Sequence, residues 1–96
     1  MLYTFSQANY SSTQFSQYLK TAAKNDAILL WQDGVLLGLI QTQHFHLTQA
    51  PCYALLNDVE ARGLTQQLTE KLPELKLITF AELVRLTEQH YPQLAL

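Results

Sequence analysis

The chain has one cysteine, Cys52, which excludes an internal disulfide and any Cys-rich metal spacing and fits a reducing compartment. Three glycines are too few for a dinucleotide fingerprint, and neither a G-x-G-x-x-G run nor a Walker lysine loop occurs. Positive charge is scarce: Lys20, Lys24, Arg62, Lys71, Lys76 and Arg85 are scattered, and eight acidic residues bring the net charge to -2. Without a basic cluster to neutralise phosphates, direct nucleic-acid binding is not expected. The start, Met1-Leu2-Tyr3-Thr4-Phe5-Ser6, carries no basic leader, and no stretch reaches the ~20 apolar residues of a membrane span. These absences point to a soluble, cytoplasmic chain with no membrane partner and no resident cofactor.

What is present is apolar substance. At 48% apolar and 15% charged, 96 residues are expected to make one α/β domain, 1–96, with a single core. A domain of this size buries only roughly 60 to 65% of its unfolded surface, so a partner surface is a common supplement.

The patterning alternates strand and helix. Leu2 to Phe5 is a short β-prone run, and Ser11, Ser12 and Thr13 offer N-caps to a helix whose inward stripe is Phe15, Tyr18, Leu19, Ala22 and Ala23. Ala27 to Trp31 is continuously apolar, as in a strand covered on both faces. Val35 to Ile40 is apolar on every side if helical, so something beyond one core is expected to cover its outer face. Residues 41–49 suit a short strand and a frayed helix about equally. Cys52 to Leu56 is a second buried-strand candidate, after which Asn57 and Glu60 resemble a capping box for a short helix that Gly63 ends. Leu64, Leu68 and Leu72 describe a helix halted by Pro73, and Leu75 to Ile78 a fourth strand. Thr79 with Glu82 makes another capping box, for a last helix with Phe80, Leu83, Val84 and Thr87 inward. The tail from Tyr91 is expected to dock. This order predicts a small three-layer domain with a mostly parallel sheet of four strands and helices on both faces.

Few residues suggest chemistry. In open α/β sheets ligands collect at the carboxyl ends of the strands, here Ser6 to Tyr10, Gln32 to Gly34, Asn57 to Asp58 and Thr79 to Ala81. Asp33 suits a turn-former and N-cap better than a catalytic acid, and the same holds for Asp58. His44-x-His46 has no third ligand nearby and reads as a pair of solvent-facing polar residues on an edge segment; no metal site is assigned. His90 suits the negative end of a helix dipole. Cys52, at the start of an apolar strand, is expected to be a small buried hydrophobe. The surfaces expected to meet partners are Trp31, Asp33, Val35, Leu36 and Leu39.

Three stretches together resemble the TusB/DsrH family: Ile28-Leu29-Leu30-Trp31-Gln32-Asp33-Gly34-Val35, then Tyr53 to Leu64 with Leu56-Asn57-Asp58-Val59-Glu60-Ala61-Arg62-Gly63 at its centre, then Phe80 to His90 around Leu83-Val84-Arg85-Leu86-Thr87. The opening Met1-Leu2-Tyr3-Thr4 is similar too, and only 41–49 departs from the pattern by being shorter. The resemblance implies a DsrEFH-like fold and a non-catalytic, structural place in a sulfur-relay complex. TusC-like and TusD-like subunits would be its partners there, in a heterohexamer with two copies of each chain. Such a complex passes persulfide sulfur toward 2-thiouridine at the tRNA wobble position, on a cysteine of the D-type subunit. Sulfur-oxidising DsrH relatives carry a cysteine near the place of Tyr18, so its absence favours the tRNA-thiolation branch. The family gives Cys52 no role, and Leu96 replaces its C-terminal aromatic. Two other readings stand beside this one: a sulfurtransferase subunit carrying persulfide on Cys52, and a small-ligand-binding α/β module.

Overall fold

In a computed structural model that describes residues 1–96, five short strands form one all-parallel sheet in the order β4-β3-β2-β1-β5. The strands are β1 (Leu2–Phe5), β2 (Ala27–Leu30), β3 (Cys52–Leu55), β4 (Lys76–Ile78) and β5 (Gln93–Ala95). Between them run α1 (Ser12–Thr21), a 3-10 segment (Gln32–Leu36) continuing into α2 (Leu37–Ile40), a second 3-10 segment (Thr42–Leu47), α3 (Leu56–Ala61), α4 (Thr65–Lys71) and α5 (Phe80–Gln89).

Crossover handedness explains the layering. The chain steps from β1 to β4 in one direction across the sheet, so right-handed connections put every helix of that half on one face. The last connection reverses, carrying the chain from β4 past three strands to the outer side of β1, and the same hand puts α5 on the opposite face. Strand alternation divides the core accordingly. Tyr3, Phe5, Ile28, Leu30 and Ala54 face Phe15 and Leu19 of α1, Val35, Leu37, Val59 and Leu68 in a large cluster. Leu2, Ala27, Leu29 and Ile78 face only Leu86 of α5, with Trp31, Tyr53 and Leu83 at the margin. The large cluster is organised by Phe5, whose ring meets those of Phe15 at 5.1 Å and Tyr10 at 5.4 Å edge-on.

Several expectations hold in detail. Ser11 caps α1 by accepting the Gln14 N–H, and Ala27 to Leu30 are buried on both faces. Gly63 has φ +64°, the left-handed conformation that closes α3, and its missing Cβ would meet nothing. The box before α5 is complete: the Thr79 hydroxyl accepts the Glu82 N–H, and the Glu82 carboxylate accepts the Thr79 N–H at 2.9 Å. Those Thr79 donors, the backbone N–H first, hold the Glu82 carboxyl below its ordinary range. Thr79→Ala is expected to cost about 1 kcal/mol, read as a fall of about 4 to 8 °C in Tm; no change would show that α5 holds its start without the box.

Five expectations are corrected. Asn57 caps nothing, because α3 begins at Leu56 directly from β3, with Leu55 at the N-cap and no side-chain cap bond. Ala23 is exposed, since α1 stops at Thr21 and leaves it in the turn. The sheet has five strands rather than four, because the tail docks beside β1 as β5. Residues 35–40 are mostly enclosed by the chain itself. The segment begins as a 3-10 turn, so its apolar residues do not spread around a 3.6-residue wheel, and Gly38 lets α4 approach until a Cβ there would lie 2.6 Å from Leu68 Cδ2. Val35 and Leu37 are fully buried and only Ile40, 58% exposed, projects. Finally, Phe80 and Val84 of α5 point outward, 55% and 56% exposed, while Leu86 is buried and Leu83 half-buried. The uncovered apolar surface therefore lies chiefly on α5.

Candidate functional site

The turn after β2 is built by residues distant in sequence. Trp31 is extended, Gln32 takes φ +52°, and Gly34 enters the first 3-10 segment, its N–H bonded to the Trp31 carbonyl at 2.9 Å. A left-handed glutamine costs of order 1 kcal/mol and persists only where neighbours hold it. Here the holder is Asp58, in the first turn of α3, whose carboxylate accepts the Gln32 N–H at 2.6 Å. Asp33 was expected to cap this turn; the cap comes instead from Asp58, across from the neighbouring strand. Arg62 completes the arrangement, donating to the Asp33 carboxylate at 2.8 Å and to the Asp58 carbonyl at 3.1 Å. Three residues of the carboxyl ends, Asp33, Asp58 and Arg62, are thus joined in one network, and Asp33 remains mostly exposed on its rim beside Gln7, Asn9 and Leu36. The network pairs one guanidinium with two carboxylates, so it keeps one net negative charge, on the exposed Asp33 side, and its bonds hold the turn in shape.

Of the residues expected at a partner surface, Trp31, Leu36 and Leu39 are half-buried and Asp33 is exposed. Val35 is corrected: it has no accessible surface, because it packs into the large cluster, and it cannot touch a partner. The indole N–H of Trp31 is buried without an acceptor. Sequence reasoning missed Phe80, Val84 and Tyr91 as exposed apolar residues, whereas Ile40 is the one residue of 35–40 that keeps the uncovered face expected of that segment. The spread of apolar positions around α5 was the available signal, but helix phase is set by the sheet.

Cys52 lies at the opposite, amino end of the sheet, apart from the Asp33–Asp58–Arg62 network. It lines a cleft of about 410 Å³ with Phe45, His46, Ala50, Lys71, Leu72 and Glu74. Its Sγ has one weak acceptor, the Ala50 carbonyl at 3.6 Å. Burial pushes the thiol up to about 12. A thiol so protonated is a poor sulfur acceptor. The sign of its pH effect follows: the folded chain holds the proton that the unfolded chain releases near the ordinary thiol pKa. Its stabilising contribution is therefore complete below about pH 8.5 and lost as pH rises toward 12. Iodoacetamide at pH 8 should alkylate the native chain at least about tenfold more slowly than the denatured chain; equal rates would show an open, ionised thiol.

The histidines are dispersed. His44 bonds Ser12 Oγ at 2.7 Å through Nε2, His46 stands exposed on the same 3-10 segment, and His90, at the C-cap of α5, bonds the Asn25 carbonyl at 3.1 Å. The segment is neither the strand nor the frayed α-helix that 41–49 suggested. No three His, Cys, Asp or Glu side chains come together as a metal site would require, and no helix is long and apolar enough to cross a membrane.

Comparison with known proteins agrees with this frame. The profile described as DsrH like protein matches residues 7–93. The chain is 43% identical to an uncharacterized protein of Haemophilus influenzae over the full length of both. It is 40% identical to Protein TusB of Serratia proteamaculans and 37% to Protein TusB of Photorhabdus laumondii, with 99% of each chain covered. Among solved structures, the solution NMR structure of protein Tm0979 from Thermotoga maritima is similar, with a TM-score of 0.66 and 26% identity over 92% of both chains. An α/β sheet of this topology, with full-length likeness to TusB proteins and a match across most of the chain, places the protein in the DsrH-like family.

Proposed function

We propose that this chain is a non-catalytic subunit of a cytoplasmic sulfur-relay complex of the TusBCD type. In that reading it joins TusC-like and TusD-like subunits in a heterohexamer that hands persulfide sulfur toward 2-thiouridine at the tRNA wobble position. The observation that carries the reading is the end-to-end likeness to proteins named TusB. Geometry supports the non-catalytic part: the sole thiol is pushed up to about 12 by burial, and the carboxyl-end charges are tied to one another. Exposed Ile40, Phe80, Val84 and Tyr91 support the subunit part, since a small domain with such residues outside gains by covering them. Trp31, Leu36 and Asp33, held by Asp58 and Arg62, then serve as a rigid contact surface.

Co-expression with the C- and D-type subunits and purification through a tag on one of them tests this directly, with all three chains expected in one complex. A stable chain that ignores both partners would overturn the reading. Incubating the complex with a persulfide donor and weighing each intact subunit checks the division of labour: the added sulfur is expected on the D-type chain and absent from Cys52.

A further inference from the structure

We propose that the cleft at the amino end of the sheet binds a free amino acid with an apolar side chain, meeting its carboxylate with Lys71 and its ammonium with Glu74. The cleft exists because the elements around it lean on different neighbours. The second 3-10 segment packs on α1, where the Phe45 and Phe15 rings meet at 5.5 Å, whereas α4 packs on α2, which Gly38 lets it approach. Between them about 410 Å³ stays open beside the start of β3, a volume suited to a small ligand. Pro73 stops α4 and turns the chain along the rim, so that Lys71 and Glu74 border the same opening.

The lining sorts into an apolar floor and a charged rim. Phe45, Leu72 and Leu75 are buried there, and Cys52 extends the same surface as a neutral thiol. The threonines of the lining are bonded within the chain: the Thr42 hydroxyl donates to the Leu39 carbonyl at 3.1 Å, and the Thr48 hydroxyl accepts the Ala50 N–H at 3.2 Å. Lys71 and Glu74 are not so engaged. The ion pairs of the chain join Met1 to Asp26 and Arg62 to Asp33 and Asp58, which leaves this cation and this anion open to a ligand.

Opposite charges beside an apolar floor select the ligand class. A fatty acid or other simple carboxylate would meet Lys71 but bring its charge against Glu74, and a simple amine would meet the reverse conflict. Each terminus of a peptide carries only one of the two charges. A free α-amino acid carries both within a few bonds, and a side chain of leucine, methionine or phenylalanine size covers the floor. His46, on the same rim, offers a ring nitrogen for a further bond. The cleft lies at the opposite end of the sheet from the Asp33–Asp58–Arg62 turn, so a bound amino acid leaves the Trp31 and Leu36 surface open. The inference therefore stands apart from the sulfur-relay reading.

Titrating the purified, isotope-labelled full chain with L-leucine, L-methionine and L-phenylalanine is expected to give saturable amide shifts centred on residues 45–52 and 71–75. The tightest of the three should bind with a Kd of about 0.1 to 1 mM. Its N-acetyl derivative lacks the ammonium, its amide lacks the carboxylate, and glycine lacks the apolar side chain; each should bind at least about fivefold more weakly. Lys71→Gln and Glu74→Gln should weaken binding by a similar factor at an unchanged melting temperature, since both side chains are exposed. The derivatives, tested on the unaltered chain, decide the matter if a variant folds poorly. Absence of saturable shifts with all three amino acids overturns the proposal, and so does equal binding by either derivative, by glycine or by either folded variant.

Discussion

Gly34→Ala is expected to be among the most damaging single-methyl changes in the chain, costing about 3 kcal/mol or more. An added Cβ would sit 1.9 Å from the carbonyl oxygen of Phe5 and 2.6 Å from its carbon. That carbonyl cannot retreat, because it accepts the Trp31 N–H at 3.1 Å and belongs to the central part of the sheet. Gly34 itself is held by its bond to the Trp31 carbonyl. Relief must come from moving the whole turn, which would pull Gln32 off Asp58 and Asp33 off Arg62. Chemical denaturation followed by the fluorescence of the single tryptophan, Trp31, reads both the lost stability and the altered turn. A cost under about 1 kcal/mol would mean that the turn yields freely and that its network is not rigid. If the surface around Trp31 and Leu36 meets partner subunits, the variant should also assemble poorly where it folds.

The second large effect is expected at Phe15. Its side chain is fully buried and its ring contacts those of Phe5 at 5.1 Å, Phe45 at 5.5 Å and Tyr10 at 6.3 Å. Removing it leaves α1 and the second 3-10 segment without their shared anchor over β1, so Phe15→Ala should lose about 3 to 5 kcal/mol. A chain of this size has in total roughly 5 to 14 kcal/mol, so the variant is expected to be partly unfolded near 37 °C and to melt at least about 12 °C lower. Phe15→Leu, which keeps most of the volume, should recover most of the loss and remain within about 1.5 kcal/mol of the native chain. Equal losses for both would point to the aromatic pairing itself rather than to filled space.

The two effects bear on different links of the chain from sequence to function. Phe15 belongs to the large core on the four-helix side, where loss of packing melts the domain. Gly34 belongs to the carboxyl-end turn, where loss of shape would reach the proposed contact surface as well. Cys52 packs at the margin of that large core, at the amino end of the sheet, in a cleft shared with Phe45, Ala50 and Leu72, where burial pushes its thiol up.

Much of this was legible in the residues, wherever the deciding interaction spans a few positions. The uninterrupted apolar run of Ala27 to Leu30 announced a strand covered on both faces, Ser11 and the Thr79–Glu82 box announced helix starts, and Gly63 announced a stop; each depends on bonds within one turn or on local hydropathy. The Trp31-Gln32-Asp33-Gly34 run likewise pointed to the family from sequence alone. Tertiary structure decided what depends on residues far apart. Three tail residues become β5 because β1 has an open edge, Asp58 rather than Asp33 caps the turn because α3 starts beside it, and Val35 turns inward because Gly38 lets α4 close over the segment. The reversal of direction after β4 leaves α5 alone on its face, and the sheet, rather than the helix's own periodicity, then selects Leu83 and Leu86 to face down and leaves Phe80 and Val84 outside.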